Sequence, residues 1–214
     1  MPFNFHYQGR YSGDETQLTG GRPLPPDARK LDEPDDVPGV VRQGLPLTAS
    51  ITAGMAVTGI IRMATANLLP SGWGLLGTLG AALVLSTVLS LVHELVHALF
   101  CPWGARKELW TYLDQGALFI YCEAPMSKAR FILMCLAPTV FLGFCPWALT
   151  LLVAPWLGAG STLCWLLVSL ILTLGAVGDI TNMLNVVRQV PPHAQIMSWG
   201  FHTYYLVDTR LSHR

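Results

Sequence analysis

The sequence predicts a mostly α, polytopic membrane protein: a helical bundle with about four transmembrane helices and a short β-hairpin on its cytosolic side. Three observations carry that class. The 214 residues are 52% hydrophobic and only 12% charged, with mean hydropathy +0.45, well away from a soluble globular domain. Four apolar stretches, about 46–69, 74–101, 131–154 and 161–187, each reach the roughly 20 residues that a tilted helix needs to cross a bilayer. Of 13 Lys/Arg and 13 Asp/Glu, only Arg62, Glu94 and Asp179 fall inside those stretches. The formal net charge of +0, with no clustered basic footprint, sets nucleic-acid binding aside.

Residues 1–45 precede the first stretch and are rich in Gly, Pro and acids ("GGRPLPPDARKLDEPDDVPG"), which predicts a flexible cytosolic arm. The opening "MPFNFHYQGRYSG" lacks a basic segment followed by an apolar one, so no cleavable signal peptide is expected and insertion relies on the first transmembrane helix. The bundle is expected over 46–206, with a tail at 207–214. Pro70 and Gly72 mark one break between helices; Pro155, Gly158 and Gly160 mark another. Neither break carries a charge, whereas Arg42, Arg106, Lys107, Lys128, Arg130 and Arg188 flank the opposite helix ends. The positive-inside rule then places both termini and the 102–130 loop in the cytosol.

Within that loop, "KELWTYLDQGALFIYCEAP" has two strand-like runs around Asp114, Gln115 and Gly116, which predicts a β-hairpin over about 109–122. An amphipathic re-entrant segment is the competing reading. Pro138 is expected either to kink the third helix and open access to the bundle or simply to pack there. The five cysteines are odd in number and contain no C-x-x-C pair, so they read as small apolar fillers rather than a disulfide framework or zinc ribbon.

The chemistry concentrates in "STVLSLVHELVHALFCPWG", residues 86–104. An ionisable group at membrane depth is costly unless paired, yet His93, Glu94 and His97 lie there together. On a helix, positions i and i+4 share a face, so His93 and His97 can offer imidazole nitrogens to one ion while Glu94 reaches a water on it. With 6 His in the chain, roughly 0.004 matches to H-E-x-x-H are expected by chance. Ser86, Ser90, His93 and His97 form one polar stripe, expected to face the bundle interior. The bland alternative is a pair of core histidines bonded to neighbouring helices.

A catalytic zinc keeps three protein ligands and an open position. Asp179 is the candidate third ligand: counted from the outer helix ends, it lies at a depth similar to His93 and His97. Gly175, Gly178, Asp179, Asn182 and Asn185 share one side of the fourth helix, a face expected to meet the polar stripe. Asp179 could instead pair with Arg62, which could also snorkel. Glu123 and His193 are rival ligands from segments able to fold back. Asn182, about one turn beyond Asp179, is a possible substrate or oxyanion contact, or a helix-packing amide.

"HELVHALF", "APMSKARFILMCLAPTVFL", "GDITNM" and "PPHAQIMSWGFHTYYL" together resemble the "putative zincin peptidase" family of small four-helix bacterial membrane proteins, whose wider relatives are intramembrane metalloproteases of the site-2 protease type. The resemblance covers about residues 74–206. It implies an integral protein of the bacterial cytoplasmic membrane, a zinc-dependent metalloendopeptidase with His93 and His97 as Zn2+ ligands, Glu94 as catalytic base and Asp179 as third ligand. The aspartate here stands in "GDITN", without the Asn-Pro-Asp-Gly block of site-2 proteases. The expected partners are the lipid bilayer and a membrane protein or peptide substrate, held in extended form by the hairpin edge. Two other classes use the same residues: a zinc-binding scaffold without proteolysis, and an ion or proton relay.

Overall fold

A computed structural model describes residues 3–69 and 72–206. The chain is 61% helical, which fits the mostly α class, with two small sheets at one end of the bundle. The expected tail at 207–214 and the break at Pro70 lie outside the described residues.

The stretch expected to be a flexible arm forms strand β1 (Phe5–Arg10), a short helix α1 (Thr16–Thr19) and strand β2 (Ala28–Lys30). Composition misleads here because the arm needs no core of its own: its strands add to edges built by later residues. Tyr11 and Leu18 are buried with Trp110 and Tyr121 of the hairpin, and Leu31 is buried in a second cluster with Val186 and Ile196. Helix α2 (Val37–Thr65) also starts inside the supposed arm. Asp36 sets its start by accepting the Gly39 N–H at 2.9 Å, with Pro38 in the first turn.

Helix α3 (Trp73–Phe100) carries the H-E-x-x-H sequence. It is followed by the expected hairpin, β3 (Lys107–Tyr112) and β4 (Ala117–Tyr121), whose connection closes on Gly116 at φ +60°, a conformation that favours glycine. Short β5 (Met126–Ser127) leads into α4 (Lys128–Pro138), a wider π-helical stretch (Thr139–Phe144) and α5 (Cys145–Leu157). The widening precedes Pro146, which has no N–H to return to the carbonyl four residues back; Cys145 N–H already bonds Val140 O, five back.

The expected fourth helix is broken. Helices α6 (Ala159–Gly175) and α7 (Val177–Gln189) meet at 46°. Ala176 N–H closes α6 onto Thr173 O, and Ile180 N–H opens α7 onto Ala176 O. Gly175 and Gly178 flank the bend, where helix propensity is weakest. Strands β6 (Gln195–Trp199) and β7 (His202–Leu206) follow. One sheet has order β1-β3-β4, with β1 parallel to β3; the other, β2-β7-β6-β5, is antiparallel throughout.

Among the described residues, three helices are long and apolar enough to cross a membrane, or four if the bent pair is one span. Only 17% of the most apolar window of α3 is buried, leaving Leu76, Leu83, Val84, Val88, Leu91 and Leu99 on an exposed face. Several basic residues that flank the spans cap helix ends at the sheet side. Arg130 donates to Phe100 O and Cys101 O at 2.6 and 2.8 Å, and Lys128 to Val187 O and Val190 O at 3.1 and 2.6 Å.

The α2–α7 crossing is close. Thr181 Oγ1 bonds Val40 O at 2.9 Å and Val177 O at 3.0 Å, and a Cβ on Gly44 would collide with the Thr181 hydroxyl and the Val177 carbonyl. Gly44→Ala should therefore lower stability by about 1–3 kcal/mol, read as a fall in the thermal midpoint of detergent-purified protein. Gly54→Ala on the same helix, where an added Cβ meets nothing within 4 Å, should not.

Candidate metal centre

Helical spacing on α3 puts His93 and His97 on one face, with Nε2 atoms 3.2 Å apart. The α6–α7 bend brings Asp179 against both: Oδ2 lies 3.0 Å from His93 Nε2 and Oδ1 lies 3.2 Å from His97 Nε2. Asp179 sits in the first turn of α7, where the helix dipole favours a carboxylate. The three side chains are only 11–17% exposed, and the partners of the aspartate are two imidazoles rather than Arg62.

His97 Nδ1 donates to the Met134 carbonyl at 3.0 Å. That carbonyl is free because the residue four positions on, whose N–H would normally claim it, is Pro138. Pro138 thus leaves an acceptor on α4 that orients the imidazole, and the Nε2 lone pair is left to point at His93 and Asp179. Arg62 shows the same logic elsewhere: its Nε donates at 2.8 Å to Leu151 O, the carbonyl that Pro155 cannot use.

Two imidazole nitrogens and the two oxygens of one carboxylate, with contacts of 3.0–3.2 Å between them, fit a small divalent ion, since bonds of about 2.0–2.1 Å in a tetrahedron separate ligands by roughly 3.3 Å. Glu94 also lies close, its carboxylate and the two imidazoles all within 4.8 Å of one another. Its Oε2, however, accepts the Ile120 N–H of β4 at 3.0 Å. That N–H points away from β3, so the free edge of β4 faces the centre; by strand alternation the backbone of Leu118 shares that edge. Asp179 thus closes the His–His pair, and Glu94 stands beside it, tied to the hairpin.

A cleft of about 470 Å³ opens onto these groups. It is lined by α3, α4, β4, the β6–β7 turn and the N-terminal parts of α2 and α7, including Asn182, Phe131, Met134 and Phe201. A neighbouring groove lined by Ser86, Ser90 and Ile171 reaches His93 and Glu94 from the bundle side. Asn185 departs from expectation: it turns to Gln43 on α2 rather than to the α3 stripe, because six residues along α7 carry it about 120° round the helix from Asp179. Glu123 pairs with Arg22 outside the cleft, and His193 is exposed, so neither joins the histidines. The Met134 carbonyl and the Ile120 N–H are main-chain groups that residue types do not announce; the one sequence signal for the former is a proline four residues downstream.

Pro138→Ala restores an N–H competing for Met134 O. Its expected effect is a loss of zinc affinity of about 10-fold or more, measured by chelator competition, while Pro155→Ala, acting on the Arg62 contact, leaves affinity unchanged.

Residues 86–195 match the family described as "Putative zincin peptidase". No curated protein and no solved structure matches the chain. The family implies a zinc cofactor, and the matched span holds His93, Glu94, His97, the hairpin and Asp179. Covering more than half of the chain and the whole of this centre, the match makes the protein a member of the "putative zincin peptidase" family.

Proposed function

We propose that the chain is a membrane-embedded zinc metalloendopeptidase of the site-2 protease type, hydrolysing peptide bonds of membrane or membrane-proximal proteins. The observation that carries this reading is the convergence of His93 Nε2, His97 Nε2 and the Asp179 carboxylate beside Glu94, at the end of long apolar helices. In this reading His93, His97 and Asp179 hold the ion, and imidazole with carboxylate favours zinc. The exposed apolar faces sit in lipid, and the sheet end and both termini face the cytosol of a bacterial cell.

Bound zinc supplies Lewis acidity, acidifying a water and polarising the scissile carbonyl. Glu94 takes up the water proton on its carboxylate and delivers it to the leaving amine nitrogen. His97, held through Nδ1 by Met134 O, keeps its tautomer throughout. Asn182 lines the same cleft and is assigned an amide contact to the substrate backbone or the oxyanion.

The substrate must lie extended, because a helix hides its scissile bond. The free edge of β4 offers the Leu118 and Ile120 backbone for strand addition beside the metal centre. An incoming strand competes with Glu94 for the Ile120 N–H, so strand addition releases the carboxylate at the moment it is needed. The relay and scaffold readings give this contact no role.

On detergent-purified protein, metal mass spectrometry should find one zinc in wild type and in Glu94→Gln, and none in His93→Ala or Asp179→Ala. New protein N-termini in membranes expressing wild type should fall by about 100-fold or more with Glu94→Gln. Zinc retained in Asp179→Ala would move the third ligand elsewhere, and unchanged N-termini in Glu94→Gln would favour a scaffold. Ile120→Pro removes an N–H that β3 does not use, so the hairpin and zinc should persist while cleavage falls about 10-fold.

A further inference from the structure

The proteolytic reading leaves a buried group of sulfurs and cations without a role. Cys101, at the C-terminal end of α3, and Cys122, just past β4, are 1% and 5% exposed, and their side chains adjoin. Cys101 Sγ also lies 3.9 Å from Met134 Sδ. Around them sit two cations held by main-chain carbonyls. Lys107, fully buried, donates to Pro102 O and Ala105 O at 3.1 and 3.0 Å, and Arg130 grips Phe100 O and Cys101 O.

Three sulfurs could suggest a soft-metal site, but two neighbouring cations oppose a metal ion and favour a thiolate. Contact with Cys101, the Ala124 N–H and the charges of Lys107 and Arg130 together outweigh burial and draw the Cys122 thiol down to about 7. Both residues line the cleft, which gives a small oxidant a path to them. Of the remaining cysteines, Cys135 on α4 also lines the cleft, whereas Cys145 on α5 and Cys164 on α6 do not.

We propose that Cys101 and Cys122 are a redox-sensitive pair that closes to a disulfide on exposure to a peroxide, joining the end of the helix that carries the histidines to the end of the hairpin. The Cys122 sulfur attacks one peroxide oxygen and the O–O bond breaks, giving a sulfenic acid and hydroxide. The Cys101 sulfur then attacks the sulfenic sulfur; the S–S bond forms, the S–O bond breaks, and the departing oxygen leaves as water with the thiol proton. Two thiols lose two electrons and two protons, and one peroxide becomes two waters. In a reducing compartment such a bridge is transient and regulatory rather than structural. It would tie β4, and with it the Ile120 contact to Glu94, to α3.

The test uses the full chain in detergent, treated with hydrogen peroxide, blocked with one alkylating agent, reduced and labelled with a second. The expected result is loss of two of the five thiols, a cross-linked peptide joining Cys101 to Cys122, and full recovery with dithiothreitol. Cys101→Ser should leave a dimedone-reactive sulfenic acid on Cys122. Oxidation at Cys145, Cys135 or Cys164 without the cross-link, or a Cys122 sulfenic acid that persists in wild type, would overturn the proposal. The decisive mapping is on wild type, so a variant that fails to fold does not blunt it, and zinc content measured on the same sample separates its failure from that of the proteolytic reading.

Discussion

Two imidazoles and one carboxylate meet among apolar helices, and much of the architecture can be derived from keeping that meeting satisfied. A buried ionisable group without a partner costs several kcal/mol, so His93, His97 and Asp179 must each be reached by something polar. Helix α3 supplies the histidines by spacing alone. The aspartate has to come from another helix at the right depth and angle. The bend between α6 and α7 provides the angle and also places Asp179 in a first turn, where the peptide dipoles favour its charge. The tight crossing of α2 over α7, permitted by Gly44, holds that turn in place.

Prolines take part in this satisfaction rather than merely bending helices. Each proline inside a helix leaves the carbonyl four residues earlier without its usual donor. In a bilayer that carbonyl must be satisfied by another protein group. Here two such carbonyls are taken by side chains from other helices, Met134 O by His97 and Leu151 O by Arg62. The unpaired acceptor and the side chain that needs orienting solve each other's problem, and Arg62, a charge inside an apolar stretch, finds its reason in α5 rather than in Asp179.

The triplet of His93, His97 and Asp179 was legible because side-chain identity and helical period together specify it: "HELVH" cannot place its two histidines on different faces, and counting along two helices put Asp179 at a matching depth. The hairpin was legible from the turn at Asp114–Gly116. The bend at Ala176 was not, since a glycine pair in an apolar helix serves close packing as readily as a break. The strands of the first residues escaped for a different reason. Their stability resides in partners far along the chain, and composition reports only on what a segment can bury by itself.

Those strands impose an order of assembly. β1 can pair only with β3, about a hundred residues later, and β2 only with β7, near the end of the described chain. β1 must therefore wait for α2 and α3 to be made, and β2 for all the helices from α2 to α7. The three-stranded sheet can close as soon as β4 follows the histidines of α3, whereas the four-stranded sheet is complete only once β6 and β7 follow the last helix.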